Sequence, residues 1–105
     1  DRAGALERMG NDAELLDSMI EMFIDEATRN LACLKTALEL GQAEDARRHA
    51  HSIKGAASNV GAKALLEWAD RLEETAKESR LDAVSDGLPE LQRRFAEFVR
   101  EARRT

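Results

Sequence analysis

Apolar positions along most of the chain recur at spacings of three and four residues, which is the period of an amphipathic α-helix. The spacing predicts a long helix that Asn11 caps and that ends at Gly41. A short helix from Arg2 to Met9 is predicted before it, ending at Gly10. Met19 and Met22 of the long helix are interpreted as core-filling residues. The core stripe predicted for the long helix consists of Leu16, Ile20, Phe23, Ala27, Leu31, Leu34 and Leu38.

Three further helices follow from the same periodicity. The second long helix runs from about Gln42 to Ser58 and the third to about Ser79, while the last begins at Asp82 or near Asp86 and contains Pro89. We favour the start at Asp82, with Pro89 kinking the helix interior. Four amphipathic helices with short connections predict an all-α fold, an antiparallel four-helix bundle with a short additional N-terminal helix. The stripes of these three helices are Ala43, Ala46, Ala50, Ile53 and Ala57; Leu65, Ala69, Leu72 and Ala76; and Leu88, Leu91, Phe95, Phe98, Val99 and Ala102.

Length and cysteine content place the chain in a broad class. Its 105 residues fit one domain over positions 1–105. We interpret that domain as excised from a longer protein, because the chain begins at Asp1 rather than at methionine. The single cysteine, Cys33, has no disulfide partner and is predicted to be buried or half-buried. Without a signal peptide or an apolar run of about 20 residues, the chain is expected in the cytoplasm, with no membrane contact of its own.

The charge of the chain is unevenly distributed. Its net charge of −5 argues against general nucleic-acid binding. No Asp or Glu occurs between Ala46 and Leu66, whereas four lysines and arginines do. This acid-free window predicts a basic face for docking an acidic partner, with Arg47, Arg48 and Ser58 as its candidate residues, or else a solvated charged face.

The acid-free window also contains the candidate reactive group. At 100° per residue, His51 lies roughly 120° from the core stripe of its helix and therefore faces solvent. Gly55 lies one turn later on that face, although glycine costs a helix about 0.8–1.0 kcal/mol relative to alanine. Its placement indicates that a bulky group approaches His51. A neutral imidazole can accept a phosphoryl group, whose charge Lys54 would offset. His49 points to the flank of the core and is interpreted as a packing or hydrogen-bonded residue.

Residues 50–73, AHSIKGAASNVGAKALLEWADRLE, resemble the histidine-containing phosphotransfer (HPt) domains of bacterial phosphorelays, and residues 14–27, ELLDSMIEMFIDEA, are similar to the family's preceding long helix. The resemblance implies that His51 is the phosphoacceptor, through its outer ring nitrogen, that Lys54 steadies the phosphoryl group and that Gly55 gives the partner room. Some members carry a glutamine near the histidine. Glu73 stands at that position here and is a possible polar neighbour of the phosphoryl group.

The resemblance implies a phosphoryl carrier rather than an enzyme. Receiver domains of response regulators are the expected partners, with a hybrid sensor kinase in the same chain as a further candidate. Mg²⁺ is expected in the receiver domain. The sequence has no glycine-rich phosphate loop and no convincing metal site, so neither an ATP site nor a cofactor is predicted. Three alternatives stay open: the phosphoacceptor domain of a chemotaxis-type kinase, an enzyme such as a phosphatase that uses His51, and a non-catalytic helical adaptor with a basic docking face.

Overall fold

The architecture is all-α, as the sequence predicted. A computed structural model describes residues 2–8, 10 and 12–104. The described residues form an antiparallel bundle of four long helices preceded by one short helix, and the bundle measures 42 × 20 × 17 Å. The helices are α1 (Arg2–Arg8), α2 (Ala13–Glu39), α3 (Ala43–Asn59), α4 (Lys63–Lys77) and α5 (Leu81–Ala102).

The N-terminus of α2 is capped one residue later than predicted. Asp12 has an extended backbone, and its side chain accepts a hydrogen bond of 2.9 Å from the backbone N–H of Leu15. This contact satisfies one of the amide groups that a helix leaves unpaired at its N-terminus. Asp12 is therefore the cap. Asn11, the predicted cap, and Met9, the predicted end of the short helix, lie outside the described residues.

The connections between the long helices are tight reversals of three residues each. In each reversal one residue takes a positive φ: 69° at Gly41, 72° at Gly61 and 58° at Ser79. The next amide then donates back to the last helical turn, for example from Ala62 to the Ala57 carbonyl at 2.9 Å. These are Schellman caps, and at Gly41 and Gly61 the glycine avoids the strain that a side chain would meet. They fold α3 and α4 against each other as antiparallel neighbours.

The core follows most of the predicted stripes, with corrections on three helices. On α3, Ala43 is half-buried rather than buried. On α5, Val84 is fully buried although the predicted stripe did not include it, and the half-buried members of that stripe are Phe95, Phe98, Val99 and Ala102.

The remaining corrections fall on α2. Leu16, Ile20, Phe23, Ala27, Leu31 and Leu34 are buried together with Ile24 and Ala37, whereas Leu38 is half-buried. Cys33 is exposed, so its predicted burial is wrong. The expectation that Met22 fills the core is also wrong, because it is 68% exposed. Both residues are next to a core residue in sequence, but a step of one residue turns the side chain by 100° around the helix.

Helix α5 begins at the earlier of the two predicted starts, with Pro89 inside it. Arg80 is its N-cap and Leu81 its first residue, so the helix begins before Asp82, which lies in the first turn. The helix packs closely on α4 at Gly87, where an added Cβ would meet Leu72 Cδ2 at 2.7 Å. The indole N–H of Trp68 donates to the Gly87 carbonyl at 2.8 Å, which fixes this half-buried tryptophan at the edge of the core.

No helix in the described part of the chain is both long and apolar enough to cross a membrane. The longest, α2, has 27 residues, but its outer face is polar and its buried face packs on the other helices.

Candidate functional site

His51 lies in the middle of α3 and faces solvent, with 60% of its side chain exposed. The buried residues of this helix, Ala46, Ala50, Ile53 and Ala57, occupy the opposite face. Although it is exposed, the imidazole has a fixed partner: its Nδ1 lies 2.9 Å from Oε2 of Glu73 on α4. This contact occupies the inner ring nitrogen, so Nε2 is the nitrogen left for an incoming group.

Glu73 is a buried carboxylate at the centre of the site. Only 3% of its side chain is exposed, and it is the one charged residue that the described part of the chain buries. Around it stand His51, Lys54 at 2.7 Å, Arg47 at 3.7 Å and Lys77 at 4.0 Å. Burial of a carboxylate costs free energy unless cations and hydrogen-bond donors compensate it. Here Arg47, His51 and Lys54 on α3 and Lys77 on α4 are the compensating groups.

The ionisation of Glu73 reflects these opposing effects. Burial raises the pKa of its carboxyl, but the contacts with Lys54 and His51 outweigh burial and hold that pKa below its ordinary value of 4.5. Glu73 is therefore ionised at neutral pH and can only accept a hydrogen bond. The His51 nitrogen that faces it must carry the proton, which assigns Nδ1–H as donor and leaves a lone pair on Nε2 in the neutral imidazole.

Lys54 is held by two carboxylates on α4. Its Nζ lies 2.7 Å from Oε1 of Glu73 and 3.2 Å from Oδ1 of Asp70, and these two contacts raise the pKa of the ammonium. The contact with Oε1 is an ion pair rather than an aligned hydrogen bond, since that oxygen has no partner in hydrogen-bond geometry. His51 and Lys54 thus touch the two oxygens of one carboxylate, and this brings the imidazole and the ammonium side by side.

The surface beside His51 is open at Gly55. A Cβ built on Gly55 would meet nothing within 4 Å, and the residue is exposed inside a continuous helix. The packing of this chain therefore does not require glycine at this position. The absence of a side chain one turn beyond His51 leaves the approach to the imidazole clear on that side.

The acid-free window does not form an uncompensated basic face. Arg47 pairs with Glu44 at 2.6 Å and Arg48 pairs with Asp45 at 2.8 Å, one turn earlier on the same helix, while Lys54 is paired across to α4. The window is acid-free in the sequence, but acidic residues from outside it contact Arg47, Arg48 and Lys54 in the folded chain. Arg47 belongs to the surroundings of Glu73, whereas Arg48 and Ser58 are exposed on the outer surface of α3.

His49 has different surroundings from His51. It is half-buried on the α2 side of α3, and its Nδ1 lies 3.2 Å from Oδ1 of Asn30. This agrees with its interpretation as a hydrogen-bonded residue at the flank of the core. The partner of His49 is a neutral amide rather than a carboxylate, and His49 is less exposed than His51.

Sequence reasoning named Glu73 but missed how deeply it is buried, and it missed Asp70 altogether. One signal was present: Glu73 is four residues after Ala69 and three before Ala76, which places it on the buried face of α4. No group of three or more His, Cys, Asp or Glu residues in the described ranges is arranged to hold a metal ion. The chemistry available at the site is thus that of a nucleophilic nitrogen flanked by a carboxylate and an ammonium.

A family model described as Hpt domain matches residues 18–101, which include all of α3 and α4 and most of α2 and α5. The chain belongs to the Hpt domain family. This membership agrees with the resemblance found at the sequence AHSIKGAASNVGA and makes the protein a histidine phosphotransfer protein of phosphorelays. Members of this family interact with receiver domains.

One solved structure shares this fold over nearly the full length. The crystal structure of histidine-containing phosphotransfer protein B (HptB) from Pseudomonas aeruginosa PAO1 matches with a TM-score of 0.83 and 29% sequence identity. The match covers 96% of this chain and 92% of that chain. No curated protein matches this chain significantly. The two proteins therefore share the helical-bundle fold over most of their lengths, including the helices that place His51 and Glu73 in this chain.

Proposed function

We propose that this chain is a phosphoryl carrier that accepts the group on Nε2 of His51 and passes it between aspartates of receiver domains. The observation that carries the proposal is the contact between the exposed imidazole and the buried, ionised Glu73. An incidental surface histidine needs no buried carboxylate behind it. Membership in the Hpt domain family supports the same function independently.

In the proposed step the Nε2 lone pair attacks phosphorus of a receiver aspartyl phosphate. The Nε2–P bond forms as the P–O bond breaks, and the electron pair of that bond returns to the aspartate carboxylate. The proton stays on Nδ1, so positive charge develops on the ring where Glu73 accepts a hydrogen bond at 2.9 Å. Glu73 thereby orients the imidazole and stabilises its charge, while Lys54 offsets the charge of the phosphoryl oxygens.

The partner would supply what this chain does not. Phosphoryl transfer needs in-line access and charge neutralisation, and we assign the acidic pocket and its Mg²⁺ to the receiver domain. Gly55 gives the receiver room, and Arg48 and Ser58 lie on the surface that it would cover. This assignment makes the chain a carrier and substrate rather than an enzyme, with no cofactor of its own. Linkage to a hybrid sensor kinase stays a hypothesis.

The test is transfer from receiver domains phosphorylated with acetyl phosphate and Mg²⁺, with phosphoramidate as a donor that needs no partner. We expect acid-labile, base-stable phosphate on the wild-type chain and on His49→Gln, and none on His51→Gln. Thermal melts of both variants should stay close to wild type, since neither residue is fully buried. Label that persists in His51→Gln, or a wild-type chain that no donor labels, would contradict the proposal.

A further inference from the structure

Lys54 is shared between two carboxylates that differ in their access to water. Asp70 is half-exposed, with 52% of its side chain accessible, whereas Glu73 is buried. Both lie on α4, three residues apart, and both approach the same ammonium, at 3.2 and 2.7 Å. The ammonium of Lys54 thus already contacts two carboxylates before any phosphoryl group is present.

The two contacts are not equally easy to give up. Glu73 Oε1 has no aligned hydrogen bond, and the ion pair with Lys54 is the contact that compensates this oxygen. Loss of that pair would leave a buried carboxylate oxygen uncompensated, because the contacts with His51, Arg47 and Lys77 are all made by Oε2. The exposed carboxylate of Asp70 can exchange its contact with Lys54 for hydrogen bonds to water, and the free-energy cost is small because exposed ion pairs contribute little. When an anionic group arrives beside His51, the contact that Lys54 exchanges for it is therefore the one with Asp70.

We propose that Asp70 is a positioning residue that sets the resting place of Lys54 and thereby the balance of phosphoryl transfer, an inference that rests on the proposed carrier function of His51. Asp70 stabilises the unphosphorylated form through the ion pair, and this pair is given up when Lys54 turns to the phosphoryl group. It therefore disfavours the phosphorylated carrier and keeps His51 a ready donor to the next aspartate.

The reaction whose balance changes is a simple exchange. Forward, the P–O bond of the receiver's aspartyl phosphate breaks and the Nε2–P bond of His51 forms; backward, the reverse occurs, with no net proton or electron transfer. The ammonium of Lys54 keeps its charge throughout and changes only its partner. Asp70 touches neither the imidazole nor the phosphoryl group in this scheme and acts through Lys54 alone.

The experiment measures the equilibrium constant between the wild-type chain and a receiver domain selected for reversible transfer with it. In Asp70→Asn the ratio of phosphorylated carrier to phosphorylated receiver should rise by about 2- to 5-fold, the range that an exposed ion pair can supply. A matched control is Glu74→Gln, which removes a carboxylate from the same helix and breaks an ion pair with Lys77 at 3.1 Å. We expect no change of the ratio in this control.

A double-variant cycle separates action through Lys54 from direct repulsion of the phosphoryl group. In a Lys54→Met background, Asp70→Asn should leave the equilibrium constant unchanged. An equal rise in both backgrounds would overturn the proposal in favour of repulsion, and so would an unchanged ratio in Asp70→Asn alone. A wild-type chain that carries no phosphoryl group would overturn the carrier function itself, which keeps the two failures distinguishable.

Discussion

The two histidines of α3 are two residues apart and lie on opposite flanks of the helix. His51 is exposed and its Nδ1 contacts the buried carboxylate of Glu73, whereas His49 is half-buried and contacts the amide of Asn30. Both rings are held by a hydrogen bond at Nδ1. What separates them is the charge of the partner and the exposure of the ring. Exposure alone therefore does not distinguish a candidate phosphoacceptor. The side chain that contacts the histidine from the facing helix matters as much.

The largest effect on phosphorylation of His51 is expected from removal of the Glu73 carboxylate. We expect Glu73→Ala to slow phosphorylation of His51 on the order of 10- to 100-fold, since the carboxylate orients the ring and stabilises its developing charge. Glu73→Gln should retain part of the rate, because an amide oxygen can still accept from Nδ1–H. Single-turnover rates with one phosphorylated receiver measure both.

The corresponding change on the other flank is the control. Asn30→Ala removes the partner of His49 and should leave the rate of phosphorylation at His51 within experimental error of wild type. If Asn30→Ala slowed transfer as much as Glu73→Ala, the two flanks would not differ in function, and the comparison would be wrong.

Side-chain volume at Gly55 should separate stability from transfer. Because a Cβ there meets nothing within 4 Å, Gly55→Ala should raise the free energy of unfolding by up to ~1 kcal/mol. Transfer should fall through Ala, Gln and Leu, by about 10-fold at Leu, since small misplacements of reacting groups are costly. Chemical denaturation and transfer rates measure the two trends. Equal transfer rates across the series would show that the missing side chain does not clear the approach.

Low pH should lower the free energy of unfolding through protonation of Glu73. The pKa of Glu73 is lowered in the folded protein, so its ionisation stabilises the fold above about pH 4.5 and this contribution is lost as the pH falls through the folded value. The Glu73→Gln variant has no carboxyl group at this position, so this contribution is absent at every pH. We therefore expect the free energy of unfolding to fall more steeply in the wild type than in Glu73→Gln between pH 6 and pH 3, as measured by urea denaturation. Parallel curves would contradict the lowered pKa.

The smallest effect is expected from the exposed arginine. Arg48 is paired with Asp45, so its charge is already partly offset, and Arg48→Glu should lower the receiver association rate by no more than about 3-fold at physiological salt. The effect should shrink as salt is added. A loss of 100-fold in stopped-flow measurements would mean that this face is more strongly basic than the ion pairs indicate.

Much of the fold could be predicted from the sequence because helix periodicity is a local property. The stripes of α3 and α4 and the outward position of His51 follow from 100° steps along one helix. Errors arose where adjacency in sequence was taken for adjacency on a face, as with Cys33 and Met22. The pairing of helices is not local, and so the basic window looked acid-free although Glu44, Asp45 and Glu73 reach its cations.

The part of the site that lies on α3 could be predicted from the sequence, whereas its contacts with α4 could not. His51, Lys54 and Gly55 lie within five residues of one helix, so their common face follows from spacing alone. Glu73 and Asp70 lie on α4, and their distances from His51 and Lys54 depend on how α4 packs against α3. The small residues of α3, such as Ala50 and Ala57, allow that close packing, but spacing along one helix does not give its register.

The most direct test of the central claim identifies the phosphorylated atom. The ¹⁵N-labelled chain, phosphorylated by phosphoramidate or by a receiver domain with Mg²⁺, would be examined by long-range ¹H–¹⁵N NMR of its two imidazoles. The account predicts phosphate on Nε2 of His51, with the proton retained on Nδ1 facing Glu73. Phosphate on Nδ1 of His51, or on either nitrogen of His49, would contradict it.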